Sequence, residues 1–177
     1  QLRTMSTLLV YLDLTPPRAG ADYDYALSAD GHSVTQQGRA SAALLPAATE
    51  VVAVLAIQAL SWHTLDLPKG TLAGRAGKAS PRLRSVLEGM LEEQLLDDAP
   101  NLHFALAPSA RADAPVLLAV CARAPLRQAL QELDLIHASG PWPVRIRGVQ
   151  VKEERLVLLG GFGHELLRAL VEPLGRA

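Results

Sequence analysis

The sequence predicts an α/β fold in which a mixed β-sheet is flanked by helices, and three observations support this prediction. Apolar runs rich in β-branched residues, such as 50–56, occur early in the chain and are typical of buried strands. A single apolar stripe at helical spacing lies within 80–96. Beyond it, strand-like and helix-like segments alternate, so helices are expected to cover the sheet.

The first half of the chain contains most of the predicted strands. Residues 7–12 (TLLVYL) form a short apolar run. Residues 23–29 alternate, and Asp30-Gly31 then precedes a second alternating segment, which is a strong signal of an antiparallel hairpin. Residues 50–56 (EVVAVLA) should be a strand that is buried on both faces. Further strands are predicted at 60–67, 102–107, 116–121, 144–151 and 156–159.

The clearest helix is predicted at 80–96. Ser80 can cap its amino end, and Pro81 fits the first helical position. Two more helices are predicted at 125–135 and 165–174. The apolar residues of the first helix should form one buried stripe, which comprises Leu83, Val86, Leu87, Met90, Leu91 and Leu95.

Composition excludes several functions before any motif is considered. A chain of 177 residues can bury a core without disulfides or metal ions. Its 17 basic and 18 acidic residues give a net charge of −1, so nucleic acid is not expected as a partner. The single cysteine, Cys121, follows an apolar run and is expected in the core. No apolar stretch is long enough to predict a membrane span, and no signal peptide is evident.

The motifs that suggest catalytic or nucleotide sites are all incomplete. The run 74–78 (GRAGK) resembles a P-loop, but Leu72 replaces its first glycine and Ala79 replaces its magnesium-binding hydroxyl. The turn 161–163 (GFG) resembles a dinucleotide fingerprint, but Leu166 replaces its small residue. The five histidines show no ligand spacing, and no nucleophile elbow is present. We therefore predict no catalytic residue, no metal site and no cofactor.

An acidic cluster lies at the carboxyl end of the first predicted helix, whereas Arg82 and Arg84 lie at its amino end. The cluster comprises Glu88, Glu92, Glu93, Asp97 and Asp98. This polarity opposes the helix dipole and costs roughly a few tenths of a kcal/mol per charge, so local stability does not explain it. The cluster is therefore either a solvated surface or a docking patch for a basic partner; acid–base catalysis is less favoured because no companion group can be named.

The residues around this cluster resemble a known family. Residues 91–98 (LEEQLLDD), followed by 101–106 (NLHFAL), resemble the L-E-[ED]-[QE]-L-x-[ED]-D-x-x-x-L-H-[FL]-A signature of type II secretion system protein L. Residues 51–68 resemble the strand pair that precedes this signature in the family. The resemblance covers 51–133, and the region after about residue 135 does not align with the family.

This resemblance implies an actin-like, RNase H-like domain on the cytoplasmic face of the bacterial inner membrane. It implies a domain core at 1–135 and leaves 136–177 as a small β-β-α segment, either part of the same domain or an addition to it. The implied function is non-catalytic recruitment of the secretion ATPase, protein E. Proteins M and F of the inner-membrane platform and a second copy of the chain are the other implied partners. The family continues into a membrane helix and a periplasmic domain, so this chain looks like an excised fragment.

Two other functions stay open. The segment 155–163 (RLVLLGGFG) looks like the adenosine-side turn of actin and heat-shock ATPases, which would make the chain an ATP-binding enzyme. Such an enzyme needs a D-x-G-[ST] turn, but the nearest candidate, 13–16 (DLTP), lacks the glycine, and Pro16 and Pro17 remove backbone donors. A structural module that self-associates through an exposed strand edge near 23–34 is the third interpretation.

Overall fold

A computed structural model describes most of the chain and divides it into two compact units. The first unit comprises Gln1–Ala59 and Pro125–Ala177, and the second comprises Leu60–Ala124. The described residues are 6–14, 21–72, 81–107, 110–111, 114–137, 144–152 and 155–158, with side chains described as far as residue 133. The predicted cap Ser80, the turn 161–163 and the helix 165–174 lie outside these residues.

Nine strands and two α-helices lie in the described residues. In chain order they are β1 (Thr7–Leu12), β2 (Asp22–Ser28), β3 (Gln36–Ser41), β4 (Glu50–Leu55), β5 (Ser61–Leu65), α1 (Pro81–Leu91), β6 (Leu102–Leu106), β7 (Val116–Ala122), α2 (Arg123–His137), β8 (Val144–Lys152) and β9 (Arg155–Leu158). The predicted strands are therefore present, most of them with small shifts at the ends, although the strand expected directly after Asp30-Gly31 begins only at Gln36 and continues to Ser41.

The first unit contains a six-stranded sheet in the order β3-β2-β1-β4-β8-β9. Strands β1 and β4 are parallel, with Thr7 opposite Glu50, and β8 lies parallel to β4, with Val144 opposite Val51. The pairs β1–β2, β2–β3 and β8–β9 are antiparallel, so the predicted mixed sheet is confirmed. Strand β8 shows that residues after 135 contribute to this sheet, whereas a domain division at 135 stays a prediction.

Strands β1 and β4 form the apolar centre of the sheet. Residues 51–55 are all buried, as expected for a parallel strand that is covered on both faces. Helix α2 buries Leu126, Ala129 and Leu133 at helical spacing. The hydroxyl of Tyr23 on β2 donates a hydrogen bond to Glu132 Oε2 on α2 at 2.5 Å, which ties the helix to the sheet.

The predicted hairpin is confirmed as β2 and β3, and its turn depends on Asp30 and Gly31. Gly31 has a φ of +77°, a conformation that favours glycine. The Asp30 carboxylate accepts hydrogen bonds from the backbone N–H groups of Ser33 and His32 and from the Ser33 hydroxyl, each at 2.8 Å. These bonds hold the pKa of the Asp30 carboxyl well below its usual range, because they stabilise its charged form.

The free edge of this hairpin differs from the predicted one. Strand β2 is paired on both sides, by β1 and by β3, so the segment 23–34 does not provide the edge. The outer strand is β3, which is exposed over most of its length. Tyr25 on β2 lies over Gly38 of β3, where an added Cβ would approach the tyrosine hydroxyl oxygen to 3.3 Å. Gln36 Nε2 also donates a hydrogen bond to that oxygen at 2.8 Å.

The second unit packs α1 on a three-stranded antiparallel sheet in the order β5-β7-β6. The buried residues of this core are Leu65, Leu67, Leu83, Leu87, Leu91, Leu102, Val116, Leu118 and Val120. Val86, Met90 and Leu95 pack partly buried against them, so the predicted apolar stripe is confirmed. Cys121 is buried, as predicted, and burial raises the pKa of its thiol to about 11.

Helix α1 ends at Leu91, which is earlier than the predicted end at residue 96. The Leu91 carbonyl accepts hydrogen bonds from the backbone N–H groups of Gln94 at 2.8 Å and Leu95 at 3.1 Å, so a turn follows the helix. This turn returns Leu95 to the core, which is why the apolar spacing continued past the true helix end. Acidic residues at 92–93 oppose the helix dipole, and an early end is consistent with that opposition.

Candidate docking groove

An open groove of about 890 Å³ lies at the carboxyl end of α1 in the second unit. Its lining residues are Glu88, Gly89, Glu92, Leu95, Leu96, Asp97, Asp98, Ala99 and Pro100. Four of the five acids predicted as a docking patch therefore come together around one groove. Glu93 is exposed and is not among the lining residues. We call this feature the acidic groove.

Two walls of different structure form the acidic groove. One wall is the last turn of α1 with the turn after it, which supplies Glu88 and Glu92. Among the five acids, only Glu88 lies within the helix, because α1 ends at Leu91, whereas the predicted helix 80–96 also included Glu92 and Glu93. The other wall is 97–100, the start of a short 3₁₀ helix at Ala99–Asn101. We call this segment the loop wall.

The loop wall is held locally by Asp97 and Asn101. The Asp97 Oδ1 atom accepts hydrogen bonds from the backbone N–H of Asp98 at 2.8 Å and from Asn101 Nδ2 at 3.3 Å. The backbone N–H of Asn101 donates to the Asp98 carbonyl at 2.8 Å. Asp97 therefore has a structural role as well as a charge, whereas the exposed Glu92 and Asp98 can be changed with fewer consequences for the backbone.

Arg84 contacts both walls of the groove without lining it, and sequence patterns did not reveal this role. Its Nε lies 2.7 Å from Glu88 Oε1, an ion pair at the i,i+4 spacing. Its Nη2 donates to the Ala99 carbonyl at 2.7 Å and reaches the Leu102 carbonyl at 3.5 Å. The guanidinium also lies 5.3 Å from the centre of the Phe104 ring, within the range of a cation–π contact. Only the pairing with Glu88 could have been expected from sequence spacing.

The acidic groove also contains an apolar element. Leu96 is fully exposed and lies beside the acids that line the groove, whereas Leu95 is partly buried in the core of the unit. Large apolar side chains with this exposure lose contact with water when a partner covers them, which contributes to binding. The groove therefore offers negative charge together with one apolar contact point.

The described residues provide little for metal binding or for a membrane span. Within them, no cluster of three or more His, Cys, Asp or Glu side chains is arranged to hold a metal ion. In the same part of the chain, neither helix is long and apolar enough to cross a membrane. Asp13, the acid of the incomplete phosphate turn, is exposed just after β1, and Pro16 and Pro17 lie outside the described residues.

Comparison with known proteins gives a likeness in fold. No protein-family model and no curated protein matches this chain. A solved structure described as the cytoplasmic domain of EpsL, an inner membrane component of the type II secretion system of Vibrio cholerae, matches with a TM-score of 0.55 and 21% sequence identity. The match covers 84% of this chain and 60% of that chain, so this chain spans about three-fifths of the EpsL structure. The likeness confirms the actin-like, RNase H-like α/β fold that the sequence signature implied.

Proposed function

We propose that this chain is a non-catalytic cytoplasmic domain of a type II secretion inner-membrane platform, and that its acidic groove docks the secretion ATPase. The likeness in fold to the EpsL domain and the signature at 91–106 both support this system. The observation that carries the docking site is that Glu88, Glu92, Asp97 and Asp98 line one open groove. The platform proteins M and F and a second copy of the chain complete the proposed set of partners.

Electrostatics defines what the acidic groove would do for such a partner. Exposed carboxylates of one sign attract a basic surface over distances of about 10 Å at moderate salt and speed its approach. Charges at the rim of an interface mainly change the association rate, while the buried apolar contact and its hydrogen bonds change the dissociation rate. The acids would therefore set how fast the ATPase docks, and Leu96 would help to set how long it stays.

A charge reversal of Glu92 and Asp98 tests the proposal. Both residues are exposed and line the groove, and neither side chain has the structural contacts of Glu88 or Asp97 described above. Glu92→Lys with Asp98→Lys should leave the melting temperature close to that of the parent. It should slow association with the cognate ATPase by at least about tenfold at low salt, because steered association is faster than unsteered association by such factors.

Glu93→Lys provides the matched control for this experiment. Glu92 and Glu93 are exposed neighbours, and each lysine replacement changes the charge by the same amount, but only Glu92 lines the groove. We expect Glu92→Lys to slow association more than Glu93→Lys does at the same ionic strength. Rates that are equal for the two variants, or an unchanged rate for the double variant, would leave these acids as ordinary solvated surface.

A further inference from the structure

We infer that Arg84 is a positioning residue of the acidic groove, fixing the loop wall at a set distance from α1 so that the groove keeps the shape that a partner needs. The link to a partner rests on the docking function proposed above, whereas the link to groove shape rests on the described contacts alone. Arg84 does not line the groove itself. It acts through Glu88 on one wall and through Ala99 on the other, and both of these residues do line it.

The contacts of Arg84 bridge parts of the chain that are distant in sequence. The Arg84 side chain extends from α1, and its guanidinium reaches carbonyl oxygens 15 and 18 residues further along the chain. The hydrogen bond to Ala99 joins a charged donor to a carbonyl at 2.7 Å, and charge-assisted bonds of this length are among the stronger hydrogen bonds in proteins. Because Arg84 is only about 28% exposed, this bond is partly shielded from competing water.

A second arginine holds the loop wall at the neighbouring residue. Arg123, at the amino end of α2, donates from Nη1 to the Pro100 carbonyl at 3.2 Å. The carbonyls of Ala99 and Pro100 are thus held by two guanidinium groups from two different helices. Of these two contacts, only that of Arg84 connects the loop wall to α1, which carries the opposite wall. Arg84 therefore links the loop wall directly to α1 through its side chain.

The arrangement requires arginine rather than any cation. A guanidinium is planar and presents five N–H donors in a fixed fork, so it can serve a carboxylate and two carbonyls while its face lies against an aromatic ring. Arg84 makes this combination with Glu88, Ala99, Leu102 and Phe104. A lysine ammonium at the same place keeps the charge but is a compact point charge that cannot occupy all these positions together.

Arg82 allows the positioning effect to be separated from charge. It lies two residues before Arg84 on α1, carries the same charge and is exposed. If only charge mattered, removal of either arginine would make the region more negative and would speed the association of a basic partner. If Arg84 positions the loop wall, its removal should instead weaken docking. Arg84→Met is therefore expected to weaken docking, whereas Arg82→Met is expected to leave it unchanged or to strengthen it.

The experiment compares Arg84→Met, Arg84→Lys and Arg82→Met in the free protein and with the cognate ATPase. In the free protein, backbone amide exchange at 97–102 should become about tenfold faster in Arg84→Met, as expected for loss of a hydrogen bond to a charged group. Arg84→Lys should restore the charge but only part of the protection. Arg82→Met should leave exchange unchanged. With the ATPase, Arg84→Met should dissociate faster than the parent, and Arg82→Met should associate at an equal or higher rate.

Three outcomes would overturn the inference. The first is unchanged exchange at 97–102 in Arg84→Met, or equal changes in Arg84→Met and Arg82→Met. The second is loss of protection that spreads to β7, which would show a general loss of stability rather than a local one. The third is local loss of protection with ATPase binding identical in the two methionine variants. The Glu92→Lys and Asp98→Lys double variant decides separately whether the groove docks the ATPase at all, so the two failures can be distinguished.

Discussion

Replacing Leu87 by alanine should destabilise the second unit by about 2–5 kcal/mol. Leu87 is 2% exposed and lies in the middle of the apolar stripe of α1, within the core that the helix forms with β5, β6 and β7. The substitution removes three buried carbon atoms, and about 0.8 kcal/mol for each gives about 2.4 kcal/mol. The cavity that remains adds to this value to the extent that the neighbouring leucines cannot close it.

Urea unfolding, followed by circular dichroism, measures the free energy of unfolding of Leu87→Ala and of a matched control. The control is Leu96→Ala, which makes the same chemical change at a fully exposed position and should stay within about 0.5 kcal/mol of the parent. A loss below about 0.5 kcal/mol for Leu87→Ala would refute the reasoning, because it would mean that this face of α1 is not part of a packed core. Equal losses for the two variants would refute it as well.

Two further predictions concern pH and nucleotide. Burial, together with the nearby charges of Arg123 and Arg84, lowers the pKa of His103 below 6.5 in the folded state. The unfolded chain therefore binds a proton at this residue before the folded chain does. The free energy of unfolding should fall as the pH drops from about 6.5 towards the folded pKa. Urea titrations across that range should show a flatter pH dependence for His103→Gln, and an unchanged slope would count against this role. Calorimetry with magnesium and ATP should detect no micromolar binding, because 13–16 lacks the glycine of a phosphate turn; micromolar binding would instead favour the ATP-binding enzyme.

Features that depend on local pattern could be predicted from the sequence. The hairpin was evident because Asp30-Gly31 interrupts two alternating segments, and the structure places Gly31, with a positive φ, within the loop that joins β2 to β3. The stripe of α1 was evident because apolar residues recur at the helical period, and the structure buries Leu83, Leu87 and Leu91 along it. In both cases the signal lies within a short stretch of chain.

Features that depend on distant parts of the chain could not be predicted in the same way. The end of α1 was missed because the turn after Leu91 returns Leu95 to the core at a spacing that also fits a continuing helix. The acids were recognised as a cluster, but their division between two walls of a groove was not predicted. Arg84 holds the loop wall through backbone carbonyl oxygens, which every residue has, so the sequence gives no signal for this contact. Strand order was likewise hidden, because β4 pairs with β1 and β8, which come from opposite ends of the chain.

The polar outer strand of the first unit affects the tendency of this protein to aggregate at high concentration. An outer strand presents backbone donors and acceptors that can template the aggregation of other chains, and flat apolar strands are the most hazardous. Strand β3 reads QQGRAS, with a cation at Arg39, and Tyr25 covers the bare backbone of Gly38 from the strand behind it. Edge-to-edge pairing of β3 from two chains would bury little apolar surface. If the two strands paired in parallel and in register, the pairing would also place two Arg39 charges next to each other. Pairing of two chains through β3 is therefore disfavoured even at high protein concentration, and any contact between copies would have to use another surface.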